Sequence, residues 1–537
     1  MQRLGALPTA ELIEYGARAA GVLILVIQLS LIPLVLIRRK EASSIVAWIL
    51  TLVFIPLLGA FLFLLFGRDR VRIGASRKRR AKAETRERMR GKLRAPSGGL
   101  IAGPVDPSPD GPAPSSASMA DSVALAFADA ELEARLSLLD QMDRPIFRVG
   151  GKLGHMAATS TNVISVMNEG TTAIDAKFEA IERATESVHA QYYLVRDDVT
   201  GQRFLELLIA AAARGCRVRL LVDGFGGRPV HRHAGRLRKA GVELAYFLPI
   251  RALGAGLHPR VLGAFQWNLR NHRKILVIDG RLGFTGGVNI GDDVRAWRDT
   301  HVRLEGPAVH SLQALFLEDW EFATERAVAD LADFPSFVPE LASDEASHER
   351  APSRSHGIVE VVASGPDTAT EAIHRVFFAA ITGARSRVYI TTPYFVPDRA
   401  MIVALQTAAL GGVDVKMIVP ARSNHLVTAA AGRSYYEEIL ESGVGVYEYL
   451  PGMIHAKTIV VDGRIALVGS ANMDMRSFRL NYEVHAVIRD DAVAARLERT
   501  FDEDLGQTRR LDLYEWRRRG VWARVVEGGG RLVAPLL

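Results

Sequence analysis

The chain has 537 residues, 48% hydrophobic and 24% charged, with one cysteine and a formal net charge of +7. That length suits three or four domain-sized units. The lone Cys216 excludes an intrachain disulfide, a CxxC motif and a zinc site built on cysteine pairs. The mean hydropathy of +0.10 comes from two short N-terminal runs, so the chain is neither a polytopic transporter nor a purely soluble enzyme. The charge is local too. Residues 68–94 hold thirteen Lys/Arg against three Asp/Glu, whereas residues 95–537 sum to −5. A mildly acidic main body argues against nucleic acid as partner, since phosphate-backbone binding needs dense positive charge.

In chain order, residues 19–37 and 45–66 are two uncharged runs of 19 and 22 residues. Each is long enough to cross a hydrocarbon core, and the seven-residue connector makes them a transmembrane hairpin within residues 1–67. The connector carries three basic residues and the segment after Phe66 carries thirteen. The heavier side faces the cytoplasm by the positive-inside rule, which places the catalytic region there. Residues 68–94 form a basic juxtamembrane segment suited to an anionic membrane surface. Residues 95–119 read as a linker, with 19 of the 24 residues 95–118 being Pro, Gly, Ser or Ala. From residue 120 the pattern alternates. Strand-like 188–195 and 218–222 surround a helical 201–214, and 387–392 and 413–419 flank a helical 398–410. Such units predict an α/β fold.

The chain also repeats itself. Asn271-His272-Arg273-Lys274 leads through Asp279-Gly280 to Gly286-Gly287-Val288-Asn289, and Ile454-His455-Ala456-Lys457 leads through Asp462-Gly463 to Gly469-Ser470-Ala471-Asn472. The spacing His-x-Lys-x4-Asp-x6-Gly-(Gly/Ser)-x-Asn is the same in both copies, and an acid follows each, Asp299 and Glu483. On a strand, side chains two apart share a face, so His272 projects with Lys274 and His455 with Lys457. An imidazole beside a fixed cation suits attack on a phosphate. Asn289, Asn472 and Ser470 are candidate phosphate hydrogen-bond donors. Asp299 and Glu483 suit the second nitrogen of a catalytic histidine. Asp279 and Asp462 close tight turns and are expected to buttress the site. No P-loop, HExxH or GxSxG element is present.

The duplicated motif resembles the phospholipase D superfamily. The hairpin with Ala47-Trp48-Ile49-Leu50, the Arg270–Lys274 run, Trp297-Arg298-Asp299-Thr300, Thr392-Pro393-Tyr394-Phe395 and Arg433-Ser434-Tyr435-Tyr436 are similar, more narrowly, to bacterial cardiolipin synthases. The resemblance implies two α/β modules, residues 120–345 and 346–537, with one active site at their interface. It counts His272, Lys274, Asp279, His455, Lys457 and Asp462 as the catalytic set. His272 would attack phosphatidylglycerol while His455 protonates the departing glycerol. His455 would then take the hydroxyl proton of a second phosphatidylglycerol, giving cardiolipin. Lys274, Lys457, Asn289 and Asn472 would hold the phosphoryl oxygens, with no metal or cofactor. The implied location is the bacterial inner membrane. A phospholipase D-type hydrolase, or transfer from another donor or to another alcohol, is the alternative reading, and a nuclease a more distant one. The longer linker, the segment Gly291-Asp292-Asp293-Val294 and residues 251–266 depart from the family pattern, which bears on acceptor choice more than on reaction type.

Overall fold

The computed structural model describes residues 21–22, 24–27, 30–36, 42–63, 139–141, 143–154, 156–249, 268–326, 355–368 and 370–534. The basic segment 68–94, the linker 95–119 and residues 251–266 lie outside them. Backbone contacts divide the chain into two units, Met1–Arg72 and Ile73–Leu537.

In the first unit, residues 21–22, 24–27 and 30–36 are helical, followed by helices Ala42–Phe54 and Pro56–Leu62. Among the described residues no helix is long and apolar enough to cross a membrane. The uninterrupted second span expected over 45–66 is divided at Ile55. Pro56 supplies no amide proton and begins a new helix, as proline does at a first helical position. Val35, Leu52, Ala60 and Phe63 form a small core, with Trp48 edge-on to Phe63 at 5.4 Å between ring centroids. Outside it, Leu25, Leu36, Leu50, Phe54, Leu57 and Leu58 are exposed.

The second unit is built on one sheet. Its first half contains β1 (Thr159–Met167), β2 (Ser187–Tyr192), β3 (Arg217–Asp223), β4 (Glu243–Phe247), β5 (Arg270–Asn271), β6 (Ile275–Ile278), β7 (Leu282–Gly286) and β8 (His301–Glu305). Its second half contains β9 (Ser355–Ser364), β10 (Arg387–Thr391), β11 (Phe395–Val396), β12 (Asp414–Pro420), β13 (Gly445–Tyr449), β14 (Thr458–Val461), β15 (Ile465–Gly469), β16 (Met473–Asp474), β17 (Asn481–Arg489) and β18 (Thr508–Arg510). The strand order of the main sheet is β18-β13-β12-β10-β14-β15-β17-β9-β1-β8-β7-β6-β2-β3-β4, with β5 paired to β17, and β11 and β16 form a separate parallel pair. Apart from β18, both halves run in the same order outward from a central antiparallel pair, β1 and β9. The motif repeat is therefore a repeat of whole modules, joined edge to edge.

Local chemistry explains the matched elements. Asp198 accepts from the Gly201 amide at 2.9 Å and starts helix Val199–Ala213, and Asp398 accepts from the Met401 amide at 3.1 Å and starts helix Arg399–Leu410. The strand expected over 188–195 ends at Tyr192, and Val195 makes only an isolated bridge to Ile290. Asp279-Gly280 and Asp462-Gly463 adopt left-handed backbone, with φ of 52° and 65° in one and 53° and 66° in the other. Two successive positive φ values match the twist of a two-residue hairpin. Cys216 is a buried core residue. Each half of the sheet has its own hydrophobic core, and that of the second half also takes in Ile146 and Phe147 of helix Arg144–Gly154. A third unites Ile164, Val302 and Leu304 of the first with Val359, Val484 and Ile488 of the second, so apolar burial holds the junction together.

Candidate active site

Both motif histidines sit just before the first strand of their module's Asp-Gly hairpin, His272 before β6 and His455 before β14, at the junction with the other module. β5 pairs in parallel with the start of β17, setting Asn271 opposite Tyr482, and the His272 amide donates to the Tyr482 carbonyl at 2.9 Å. The reciprocal crossing bridges Arg298 to Ile454, and the His455 amide donates to the Arg298 carbonyl at 2.7 Å. The residue after each carbonyl is an acid, so the acids are exchanged. His272 Nδ1 lies 2.9 Å from Glu483 Oε1, and His455 Nδ1 lies 2.8 Å from Asp299 Oδ2. A carboxylate accepts only, so Nδ1 carries the proton in each neutral ring and Nε2 keeps its lone pair.

Glu483 is fully buried and also accepts from Ser470 Oγ and, at 3.1 Å, from Asn481 Nδ2. Ser470 was expected at the phosphate, but its hydroxyl is turned to Glu483 and the Val484 carbonyl. The first module has Gly287 at that place. A Cβ there would stand 2.1 Å from Asp299 Oδ1, so the shorter acid has taken the serine's room. Asp299 instead accepts from the Thr300 amide at 2.7 Å.

Lys274 Nζ donates to the His272 carbonyl at 2.6 Å. Lys457 Nζ donates to the His455 carbonyl and lies 3.0 Å from His455 Nε2. The four groups share one electrostatic centre. Burial lowers the pKa of His272, against the pull of Glu483, and both Lys274 and Lys457 lower it further. Burial, then Lys457, pushes His455 down to about 3, and Lys274 adds to this against Asp299. Burial also brings Lys274 down to about 7 and Lys457 to about 8. Burial alone would raise Asp299 and Glu483; their histidines and the lysines outweigh it and hold both below the usual carboxylate range. Both imidazoles are thus neutral at pH 7, in a site made for an anion.

Asn289 Oδ1 accepts from the Leu194 amide at 3.2 Å, which leaves its Nδ2 to donate. The Asn472 amide donates to Ser477 Oγ. Asp279 and Asp462 stand elsewhere. Asp279, at the far end of β6 from Lys274, accepts from the amides of Thr185, Glu186 and Ser187. Asp462 accepts from those of Arg385, Ser386 and Arg387. Their oxygens clamp the start of β2 and of β10, and reach neither histidine. Among the described residues no group of three or more His, Cys, Asp or Glu is placed to hold a metal ion.

Several residues at the site escaped the sequence reading. Asp319, on helix Ala308–Thr324, accepts from Gln191 at 2.7 Å, Asn271 at 3.1 Å and Arg273 at 2.6 Å, fixing the run around His272. Asp223 accepts from Arg270 Nη1 and the Asn271 amide. Lys177 is fully buried on helix Gly170–Glu182 and donates to the Val288 carbonyl at 3.1 Å; burial brings its pKa to about 7. One buried lysine or aspartate in an otherwise amphipathic helix leaves no periodic trace, so sequence held no signal for these. Aromatic rings line the histidines: Tyr193 at 5.2 Å from His272, Trp297 at 4.9 Å and Tyr394 at 6.4 Å from His455, between centroids.

Comparison with known proteins gives this arrangement its class. Residues 178–320 and 377–505 match the family model described as cardiolipin synthase, PLD-like domain, one match in each module. Residues 24–68 match that of the phospholipase D-nuclease N-terminal region. The chain is 34% identical over 548 residues to a cardiolipin synthase of Geobacillus thermodenitrificans (strain NG80-2), covering 99% of this chain and 97% of that one. It is 33% identical over 519 residues to the major cardiolipin synthase of Bacillus subtilis (strain 168), covering 93% and 95%. The crystal structure of phosphatidylserine synthase from Haemophilus influenzae Rd KW20 shares the fold, with a TM-score of 0.54 at 15% identity, covering 73% of this chain and all of that one. The chain belongs to the cardiolipin synthase family, and its α/β body is a duplicated PLD-like domain.

Proposed function

We propose that the protein is a membrane-bound phosphatidyltransferase that makes cardiolipin and glycerol from two phosphatidylglycerol molecules. The observation that carries this reading is the crossed pair of His–carboxylate contacts, His272 with Glu483 and His455 with Asp299, beside two buried lysines. It is joined by the cardiolipin synthase relatives over nearly the whole chain. The phosphodiester sits between Lys274 and Lys457, with Asn289 and Asn472 as further donors. His272 is the nucleophile: its ring is 14% exposed against 7% for His455, and among the described residues no lysine lies on its Nε2 as Lys457 does on that of His455. His272 Nε2 attacks phosphorus and the glycerol oxygen leaves with a proton from His455, giving a phosphatidyl-histidine. His455 then removes the proton from the hydroxyl of the second phosphatidylglycerol, whose oxygen displaces His272. With its pKa near 3, His455 holds almost no proton to give in the free enzyme. The negative charge of bound substrate favours its protonated form and keeps both lysines charged.

The domain scheme follows the sequence: a membrane hairpin within residues 1–67, a basic segment at 68–94, a linker at 95–119, and modules at 120–345 and 346–537. The exposed apolar side chains of the first unit and its family match support the hairpin, and the thirteen basic residues after it support a cytoplasmic catalytic region at the bacterial inner membrane. The test is the full chain given labelled phosphatidylglycerol alone. Cardiolipin and glycerol should appear in equal amounts, and His272→Ala or His455→Ala should lower turnover by about 10³-fold or more with folding intact. Phosphatidic acid as the main product would assign hydrolysis, and no product at all would refute the reading.

A further inference from the structure

Helix Val521–Val533 is amphipathic the wrong way round. Of its described side chains, Glu527 is buried and ion-paired with Arg433 and Arg519. Gly530 packs so closely that a Cβ would stand 2.6 Å from the Ala431 amide nitrogen of helix Leu426–Leu440. The apolar residues point outward: Trp522 is 82% exposed and Leu532 84%, with Val521, Val525 and Val526 also exposed. At 100° per residue these five fall within one face, and Glu527, Gly530 and Arg531 on the opposite one. An ordinary surface helix buries its apolar face and shows its charges to water. This one does the reverse over about 20 Å.

The helix and the turn before it carry an excess of basic residues. Residues 517–533 contain five arginines and one acid, the buried Glu527. Arg517 and Arg531 pair with Glu437, Glu441 and Glu438 at the neighbouring helix and Arg519 with Glu527, so Arg518 and Arg524 supply the excess charge. An exposed face of Val, Leu and Trp with arginine beside it, and no exposed carboxylate on the helix itself, is the composition of a helix lying in the interface of an anionic bilayer. The partner helix also exposes apolar residues at its start. It begins with Leu426 and Val427, both exposed, next to His425, whose ring faces Tyr394 at 5.6 Å. Tyr394 in turn faces His455.

We propose that helix Val521–Val533 is a second membrane contact, laid in the headgroup region of phosphatidylglycerol-rich lipid by the module that carries His455. The inference rests on the reading that the substrate is a membrane lipid. It assigns the helix a lipid partner rather than a second copy of the chain or another of its own segments.

The test uses the full chain with Val526→Cys labelled by an environment-sensitive fluorophore, the buried Cys216 being left in place. The same label on Gln202→Cys, an exposed position of the first module, is the control. In vesicles of phosphatidylglycerol and phosphatidylcholine, the label at 526 should shift to the blue and be quenched by headgroup-region nitroxide lipids, and the control label should not. Adding Val525→Glu should lower the bound-to-free ratio on the order of tenfold, and so should removing phosphatidylglycerol. Three results would overturn the proposal: a label at 526 as solvated as the control, shielding without nitroxide quenching (a protein cover), or quenching indifferent to phosphatidylglycerol. Repeating the measurement in His272→Ala separates it from the chemistry. Quenching without turnover leaves this inference standing, and turnover without quenching refutes it alone.

Discussion

At the scale of single residues, the site works by withholding water from cations. Lys274 and Lys457 lose protons near 7 and 8 because burial penalises their charged forms. Both must be charged to hold a phosphodiester in the free enzyme. We therefore expect kcat/KM to fall as pH rises through 7 to 8, the range of those two pKa values. Lys274→Arg, whose guanidinium stays charged, should leave only the later of the two losses. A profile flat to pH 9 would contradict the role given to the lysines. Lys177 offers a separate reading of the same physics. It releases its proton near 7 when folded and near its ordinary 10.5 when unfolded. Below pH 7 the folded state thus carries the whole penalty, and the penalty fades as pH rises toward 10.5. Lys177→Met should raise stability in chemical denaturation at pH 6, and the gain should shrink by pH 10. The motif histidines and lysines were legible because they recur at fixed spacing. Lys177 was not, because it occurs once and the repeat has Phe377 at the corresponding place beside His485.

At the scale of elements, the two motif aspartates are braces. Asp279 and Asp462 each hold three consecutive amides at the start of the neighbouring strand. Asp279→Ala should cost about 2 kcal/mol of stability, a typical loss for hydrogen bonds to a charged group. Turnover well below the melting temperature should change less than about threefold. Loss of activity in a fully folded variant would return the aspartate to the chemistry. The strand–helix alternation and the Asp-Gly turns were readable because period and turn residues are local signals. The break at Ile55 was present in the sequence as Pro56, but hydropathy sums over it. Helix Val521–Val533 carries an apolar stripe at helical spacing, but the pattern does not say which way the stripe faces, and only the packing of Glu527 and Gly530 turns it outward.

At the scale of the whole molecule, the repeat predicted two copies of one module, the family resemblance implied one site between them, and the strand order shows that the modules are matched. What the sequence left open was the exchange of acids. Asp299 lies 27 residues after His272 and Glu483 lies 28 after His455, a spacing as compatible with pairing inside a module as across. Only the crossings of β5 with β17 and of Arg298 with Ile454 decide it. Because one chain supplies both crossings, mixing full-length His272→Ala with full-length His455→Ala should restore no activity above that of either alone. Recovery on mixing would mean that modules of different chains combine.

The exchange also has a consequence for how the protein is made. A chain leaving the ribosome completes its first reactive imidazole about two hundred residues before the carboxylate that orients it. A product truncated by early termination, or clipped between the modules, carries a histidine in no fixed tautomer and half a phosphate cradle. Under the proposed chemistry an unfinished copy therefore cannot cut a phospholipid, since the second histidine and the acid that orients the first, His455 and Glu483, are the last parts of the site to be made.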